Sequence, residues 1–362
     1  MNNNKIFAIA AVVIIVLAGL SIAYVLTRDN GTEGNTIIDA RGRAVEVPDE
    51  INSILAMKSC SLQLVSFFDA VNKVTYLDGT LGGGENLADP NRTHTFVLND
   101  LFKDLPSVDT GNLEKVIETN VDIIISSEVS VSALNEYQKK TGIPVFAINA
   151  DVEFDSPIFY DQLRSLGKLF GEEDRAEELI AGIETMISDI YDNVSPVEGI
   201  SGYICGMNYY GAGTFLKTSG DYLPFKYSKL NNVMPPKIGG QPYDTDLETV
   251  IEKNPHIIFI DGMGLASVKS YFSAHYGMLK LMAAFSEDGG IYTTMIYKNW
   301  GTNWVNLLIN VYYVASIVHS DEFEWDFEDK ADEIIQLFYP GTDVKYSDLA
   351  DAQAGEGCLS VD

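Results

Sequence analysis

Cysteine is nearly absent: three in 362 residues, at 60, 205 and 358, with no C-x-x-C pair. That excludes a disulfide-framed scaffold and a zinc ribbon. Histidine is as scarce. His94, His256, His275 and His319 are the full set, none at ligand spacing from another, which argues against a site that grips a bare metal ion with clustered imidazoles. Basic residues are few: 24 Lys and Arg stand against 52 Asp and Glu, a net charge of −28. Nucleic acid is therefore removed as a partner, because phosphate binding needs a basic face. The patterns G-x-S-x-G, H-E-x-x-H and G-x-x-x-x-G-K-[ST] are missing too, so the chain signals no enzyme class.

One long apolar run is present. Ile6 to Leu26 carries no charge over 21 residues and lies between Lys5 and Arg28. At ~1.5 Å per residue it crosses a ~30 Å hydrocarbon layer. A cleaved secretory signal has a shorter apolar core, so residues 1–27 read as a membrane anchor or signal segment, with Ala23 as the cleavage alternative. Lys5 and the amino terminus place the short side inside and the body outside, on the extracellular face of the membrane. Residues 28–35, "RDNGTEGN", read as a linker, and Ser320 to Asp362 holds 13 acidic residues against two basic ones, a solvated acidic segment. Asn30-Gly31-Thr32 and Asn91-Arg92-Thr93 fit the glycan acceptor pattern and suggest surface loops.

Between these ends, short apolar strands alternate with helical stripes, the pattern of a parallel sheet covered on both faces. "TIIDARGRAVEVP" reads as a hairpin, "INSILAM", "KVTYLDG", "VDIIIS" and "IPVFAIN" as strands, and "TLGGGENLADPNRTH" as a long glycine-rich loop. From Ser156 to Asn193 the apolar spacing is helical without strands, with Gly171 as punctuation. After Pro196 the strand–helix rhythm returns, and a last helix is expected from about Asn303 to Val318.

The most informative feature is a repeat. "NLEKVIETNVDIII" (112–125) returns as "DLETVIEKNPHIIFI" (246–260), with Leu113 matched to Leu247, a shift of 134 positions. Leu, Val and Ile at the first, fourth and fifth helical positions suggest a buried stripe. "TDLE" at Thr245 reads as a capping box, so the glutamates Glu114 and Glu248 have a local role open to them as helix-start stabilisers, worth ~0.3–1 kcal/mol.

These stretches, in this order, together with "LGKLFGEEDRAEELIAGI" (166–183), resemble solute-binding proteins of the cobalamin and iron-siderophore class of ABC importers. "GTNWVNLLINVYYVASIV" (301–318) resembles archaeal members in particular. The likeness covers roughly residues 36 to 340. It implies an α/β fold of two Rossmann-like lobes joined by one long helix, with the ligand cleft between them: an N-terminal lobe at 36–154, a connecting helical backbone at 155–195 and a C-terminal lobe at 196–340. The acidic composition beyond it predicts a flexible tail at 341–362. The likeness also implies that Glu114 and Glu248, one per lobe, dock on arginines of a permease dimer served by its ATPase. Leu17-Ala18-Gly19-Leu20-Ser21 stands where bacterial relatives often carry a lipobox cysteine, so a protein anchor replaces a lipid one. A monomer is expected.

Ligands of such lobes bind beyond the carboxyl ends of the strands. The residues placed there are Ser59, Cys60, Ser61, Gly83, Glu85, Asn86, Ser127, Glu128 and Asn149 from the first lobe. From the second come Asn208, Tyr209, Tyr210, Met263, Tyr297 and Trp300. The aromatic members suit a flat organic cargo, a metal chelate such as a ferric siderophore or haem, or a corrinoid. With few basic residues assigned to the cleft, a molybdate or tungstate oxyanion ranks second. A tethered enzyme or a scaffold module are the readings from other classes. No resident cofactor is expected.

Overall fold

Strands that read as unbroken apolar runs need cover on both faces, and the chain supplies it twice. The computed structural model describes residues 35–79, 91–208, 213–238, 240–353 and 357–358. Gly83, Glu85, Asn86, Tyr209 and Tyr210, the expected anchor and nearly all of the linker lie outside the described residues. Among the described residues no helix is long and apolar enough to cross a membrane.

The first seven strands are β1 (Thr36–Ile38), β2 (Ala44–Glu46), β3 (Ile54–Met57), β4 (Val74–Asp78), β5 (Ser107–Val108), β6 (Ile123–Ser126) and β7 (Val145–Ala147). β1 and β2 form the expected antiparallel hairpin, Ile37 opposite Val45, tied by an Asp39–Arg43 ion pair at 3.0 Å. The others make a parallel sheet in the order β5-β4-β3-β6-β7. The second half supplies β8 (Ser201–Cys205), β9 (Lys217–Thr218), β10 (Asn231–Asn232), β11 (Tyr243–Asp244), β12 (Ile257–Asp261), β13 (Gly290–Thr294) and β14 (Gly357–Cys358). Its sheet runs β10-β8-β12-β13-β14. The first four strands in that order are parallel, while β14 pairs antiparallel to β13.

The repeated sequence builds the same device in each lobe. Leu113–Thr119 and Leu247–Lys253 are both seven-residue helices, each leading into a central strand, β6 or β12. Asn112 caps one by accepting from Lys115 N, and Asp246 the other by accepting from Thr249 N at 2.7 Å. Each ends on a left-handed asparagine, Asn120 (φ 51°) and Asn254 (φ 45°), a conformation asparagine tolerates because its short amide bonds locally. Thr245 is therefore not the cap. Asp246, one residue later, presents the better acceptor to the N3 amide. The buried stripe also narrows to Val116 and Val250, leaving Ile117 46% exposed, because only one face of so short a helix meets the sheet.

The connecting segment is two helices, Pro157–Phe170 and Glu173–Tyr191, rather than one rod. Gly171 takes φ 71° at the break, where a Cβ would be strained. Glu172 accepts from the first-lobe amides of Asp69 and Ala70, both at 2.8 Å. Arg175 reaches Phe67 O and Leu337 O. One core cluster runs from Ile54 of β3 through Leu163 and Ile183 to Phe259 of β12. A core shared in this way resists wide hinge opening.

The last long helix, Trp304–Val318, has residues 304 to 315 buried. Trp304 stacks on Phe159 at 5.2 Å. The segment expected as a flexible acidic tail is ordered in part. Tyr346–Ala352 is a helix with Tyr346 and Leu349 buried, and β14 extends the second sheet. Asp348 and Asp351 point outward, so the acidic count hid an amphipathic helix.

Candidate functional site

The backbone takes left-handed turns past the carboxyl ends of two strands. Lys58 and Cys60, just after β3, have φ of 66° and 63°, and Trp300, after β13, has φ 62°. Left-handed residues that are not glycine cost energy and persist where surrounding packing imposes them, often at ligand sites. Gly301, at φ 153°, follows Trp300, and a Cβ there would lie 2.3 Å from Cys60 Sγ. The loops of the two lobes meet too closely for any larger residue.

Between them lies a narrow cleft of about 10 Å³, lined by Cys60, Gln63, Arg92 and His94 from the first lobe and Asn299, Thr302 and Asn303 from the second. The seam is hydrogen-bonded along its length. Cys60 Sγ–H donates to Thr302 O at 3.8 Å, and Thr302 N to Ala150 O at 2.9 Å. With the Gln63 amide nitrogen donating to Thr302 O (3.0 Å), its oxygen accepts from Trp304 N (3.3 Å). Trp304 Nε1 donates to Val152 O at 2.8 Å.

Beside the cleft, two carboxyl groups hold Tyr297. Asp261, fully buried at the end of β12, accepts from Tyr297 N (2.8 Å) and Met263 N (3.0 Å). Burial carries its pKa up to about 7 against the pull of those two amides. Across the seam the Tyr297 hydroxyl donates to Glu153 Oε1. Burial also raises the Glu153 carboxyl, with the Lys298 charge opposing. Burial, then the Glu153 charge, lifts the Tyr297 phenol well above its ordinary range.

The expected site residues separate on this geometry. Cys60 lines the cleft, with Ser59 buried beside it; Ser61 is buried as well, its hydroxyl donating to Met57 O at 2.7 Å. Glu128 pairs with Lys58 and accepts from Ser130 N. That Lys58 bond, chiefly, lowers its pKa. Asn149 is tied to Gln162. Ser127, Asn208 and Met263 are partly exposed at strand ends. Tyr297 is buried and turned to Glu153, while Trp300 is 63% exposed. Glu114 and Glu248 are both exposed, at the second position of their matched helices.

Two expectations fail here. Asn91-Arg92-Thr93 is no surface loop: Arg92 is 6% exposed and Thr93 fully buried. The cleft also holds a buried guanidinium, that of Arg92, contrary to the count that assigned it few basic groups, and His94 lines it as well. Gln63, Asn299, Thr302 and Asn303 were missed as well. The readable signal was position: "NRTH" follows β4 in the sequence, beyond the carboxyl end of a strand, where ligands of such lobes bind.

A family model described as periplasmic binding protein matches residues 80–284, more than half of the chain. The chain belongs to the periplasmic binding protein family. It is a binding protein, not an enzyme. Solved structures share its two-lobe fold. An ABC transporter solute binding protein from Sulfurospirillum deleyianum has a TM-score of 0.62 at 19% identity, covering 88% of this chain and 99% of that one. Haemophilus influenzae MolA bound to molybdate has a TM-score of 0.62 at 17% identity, covering 86% and 99%. Helicobacter pylori CeuE with Ni(II) bound has a TM-score of 0.60 at 12% identity, covering 87% and 98%. No curated protein matches the sequence.

Proposed function

We propose that this protein is the extracellular binding component of an ABC importer, held at the membrane by residues 6–26, and that its cargo is an anionic metal chelate. The observation that carries the cargo class is Arg92 and His94 set opposite the amides of Asn299 and Asn303 across the interlobe cleft. A guanidinium donates two parallel bonds to a carboxylate or related anion, and charge-assisted bonds of this kind are the strong ones. Haem presents such groups as propionates, a ferric catecholate siderophore as anionic oxygens and a corrinoid as its nucleotide phosphate, with Trp300 beside the cleft as a flat wall. Glu114 and Glu248, carried on equivalent helices of the two lobes, supply two matched acidic contacts for a permease dimer. The shared core favours delivery by a body that changes shape little.

A second reading has its own support. The described walls enclose only about 10 Å³, far below the ~300–1,000 Å³ usual for organic ligands, and they are rich in N–H donors. A molybdate or tungstate ion fits that chemistry, and the MolA structure that shares this fold holds molybdate.

Thermal unfolding of the purified protein with a ferric tris-catecholate, haemin, cyanocobalamin, molybdate and tungstate separates the readings. The cognate class raises the midpoint by the stabilisation RT ln(1 + [L]/Kd), about 2.7 kcal/mol at a hundredfold excess over Kd. Stabilisation by tungstate alone selects the oxyanion. No shift with any of the five refutes both cargo classes.

A further inference from the structure

Thr93, buried between Arg92 and His94, is the centre of a closed ring of hydrogen bonds. Its hydroxyl donates to Asn306 Oδ1 at 2.7 Å. The Asn306 amide donates to Gln353 Oε1 at 2.7 Å, and the Gln353 amide returns to Thr93 Oγ1 at 3.0 Å. Asn303 Nδ2 fills the second lone pair of Thr93 at 3.0 Å. The hydroxyl is thereby fully used, with one bond given and two accepted. Thr93 and Asn306 are wholly buried and Gln353 is 1% exposed, so the ring is closed off from water, where each bond counts for more. Its three members come from three places: the first lobe, the last long helix and the carboxy-terminal segment.

The carboxy-terminal member is well anchored. Gln353 N donates to Leu349 O at 2.9 Å, ending the Tyr346–Ala352 helix. Tyr346 of that helix packs edge-on against Phe327, and beyond it β14 pairs with β13. The chain passes so near the second lobe that a Cβ on Gly262 would lie 3.2 Å from Gln353 O.

We propose that Gln353 is a positioning residue of the cargo site: by closing this ring, the carboxy-terminal segment clasps Thr93 to the second lobe and holds Arg92 and His94 in place. The proposal rests on the cleft being the cargo site. Arg92 and His94 are the direct chain neighbours of Thr93, so a displacement of Thr93 moves both. The clasp also joins the lobes at the cleft floor, independently of the connecting helices.

The test is isothermal titration of the full chain with whichever of the five compounds tested for thermal stabilisation binds the wild type. Gln353→Met keeps the volume and removes both amide bonds, and it weakens binding about tenfold. In an Arg92→Gln background the same change costs less than about threefold, because the group being positioned is gone. Wild-type affinity in Gln353→Met, or an undiminished tenfold loss in the Arg92→Gln background, overturns the proposal. If Gln353→Met does not fold, Thr93→Val carries the same expectation, and Thr93→Ser, which restores the hydroxyl, recovers the lost affinity. If none of the five binds the wild type, the cargo reading fails and amide exchange decides the clasp. Thr95 N, Phe96 N and Leu98 N, bonded to Arg92 O and His94 O, exchange about tenfold faster in Gln353→Met, and unchanged exchange refutes it.

Discussion

Replacing Asp261 with asparagine makes the stability of the protein less dependent on pH. The native carboxyl is buried at the end of β12, and its pKa stands at about 7 against an ordinary 3.8. Between those values the folded protein holds a proton that the unfolded chain has released. Stability is therefore complete with respect to this group below about pH 4 and falls as pH rises toward 7. At 1.36 kcal/mol per pH unit the full loss is on the order of 4 kcal/mol, large beside a net stability of ~5–15 kcal/mol.

Asparagine cannot ionise, so it removes the slope and adds a fixed penalty. Each carboxyl oxygen now takes one amide, Oδ1 from Met263 and Oδ2 from Tyr297. The asparagine NH2 must face one of these donors and leave it unpaired, at a cost of about 1–3 kcal/mol. Asp261→Asn is therefore the weaker protein near pH 4. From pH 5 to pH 8 its stability relative to wild type improves by about 3 kcal/mol. Glu153, whose pKa is also raised, tilts both profiles alike and cancels in the difference. Urea unfolding at pH 5, 6.5 and 8, with unchanged m-values, measures it. Parallel profiles, differing by a constant to within about 0.5 kcal/mol, refute the reasoning.

Arg92→Gln keeps a polar group in the cleft but removes its charge; titration calorimetry is expected to show anionic cargo bound about 10–100-fold more weakly, and full affinity would remove Arg92 from the site. Gly301→Ala sets a Cβ 2.3 Å from Cys60 Sγ at a φ of 153°; the denaturation midpoint falls by the equivalent of about 1–3 kcal/mol, and an unchanged midpoint would show that the two loops are free to part. Charge reversal at Glu114 and Glu248 together leaves the ligand-induced thermal shift intact and abolishes uptake in cells; normal uptake would return both residues to a local role at their helix starts.

The architecture was legible because it is written locally and written twice. An apolar run of five residues identifies a covered strand wherever it stands, and the second copy of the 112–125 pattern marked a second lobe before any contact was known. Even the caps follow short-range rules, although the choice of Asp246 over Thr245 turned on a single residue. The cleft is written differently. Thr93 meets Asn306 and Gln353 across separations of 213 and 260 residues, and no periodicity connects them.

Composition misled at the same place and for the same reason. A net charge of −28 is a sum, whereas a cleft responds to the one guanidinium inside it, so Arg92 outweighs many distant carboxylates. Tyr297 shows the converse error. An aromatic residue at a strand end was a sound candidate for the pocket wall, but Glu153 accepts its hydroxyl and turns it into part of the seam. Trp300, with no such partner among the described residues, stays exposed in a strained backbone conformation beside the cleft. Gly301 beside it leaves no room for a Cβ against Cys60, which makes the contact between the two loops, more than the aromatic content of either, the feature that shapes the site.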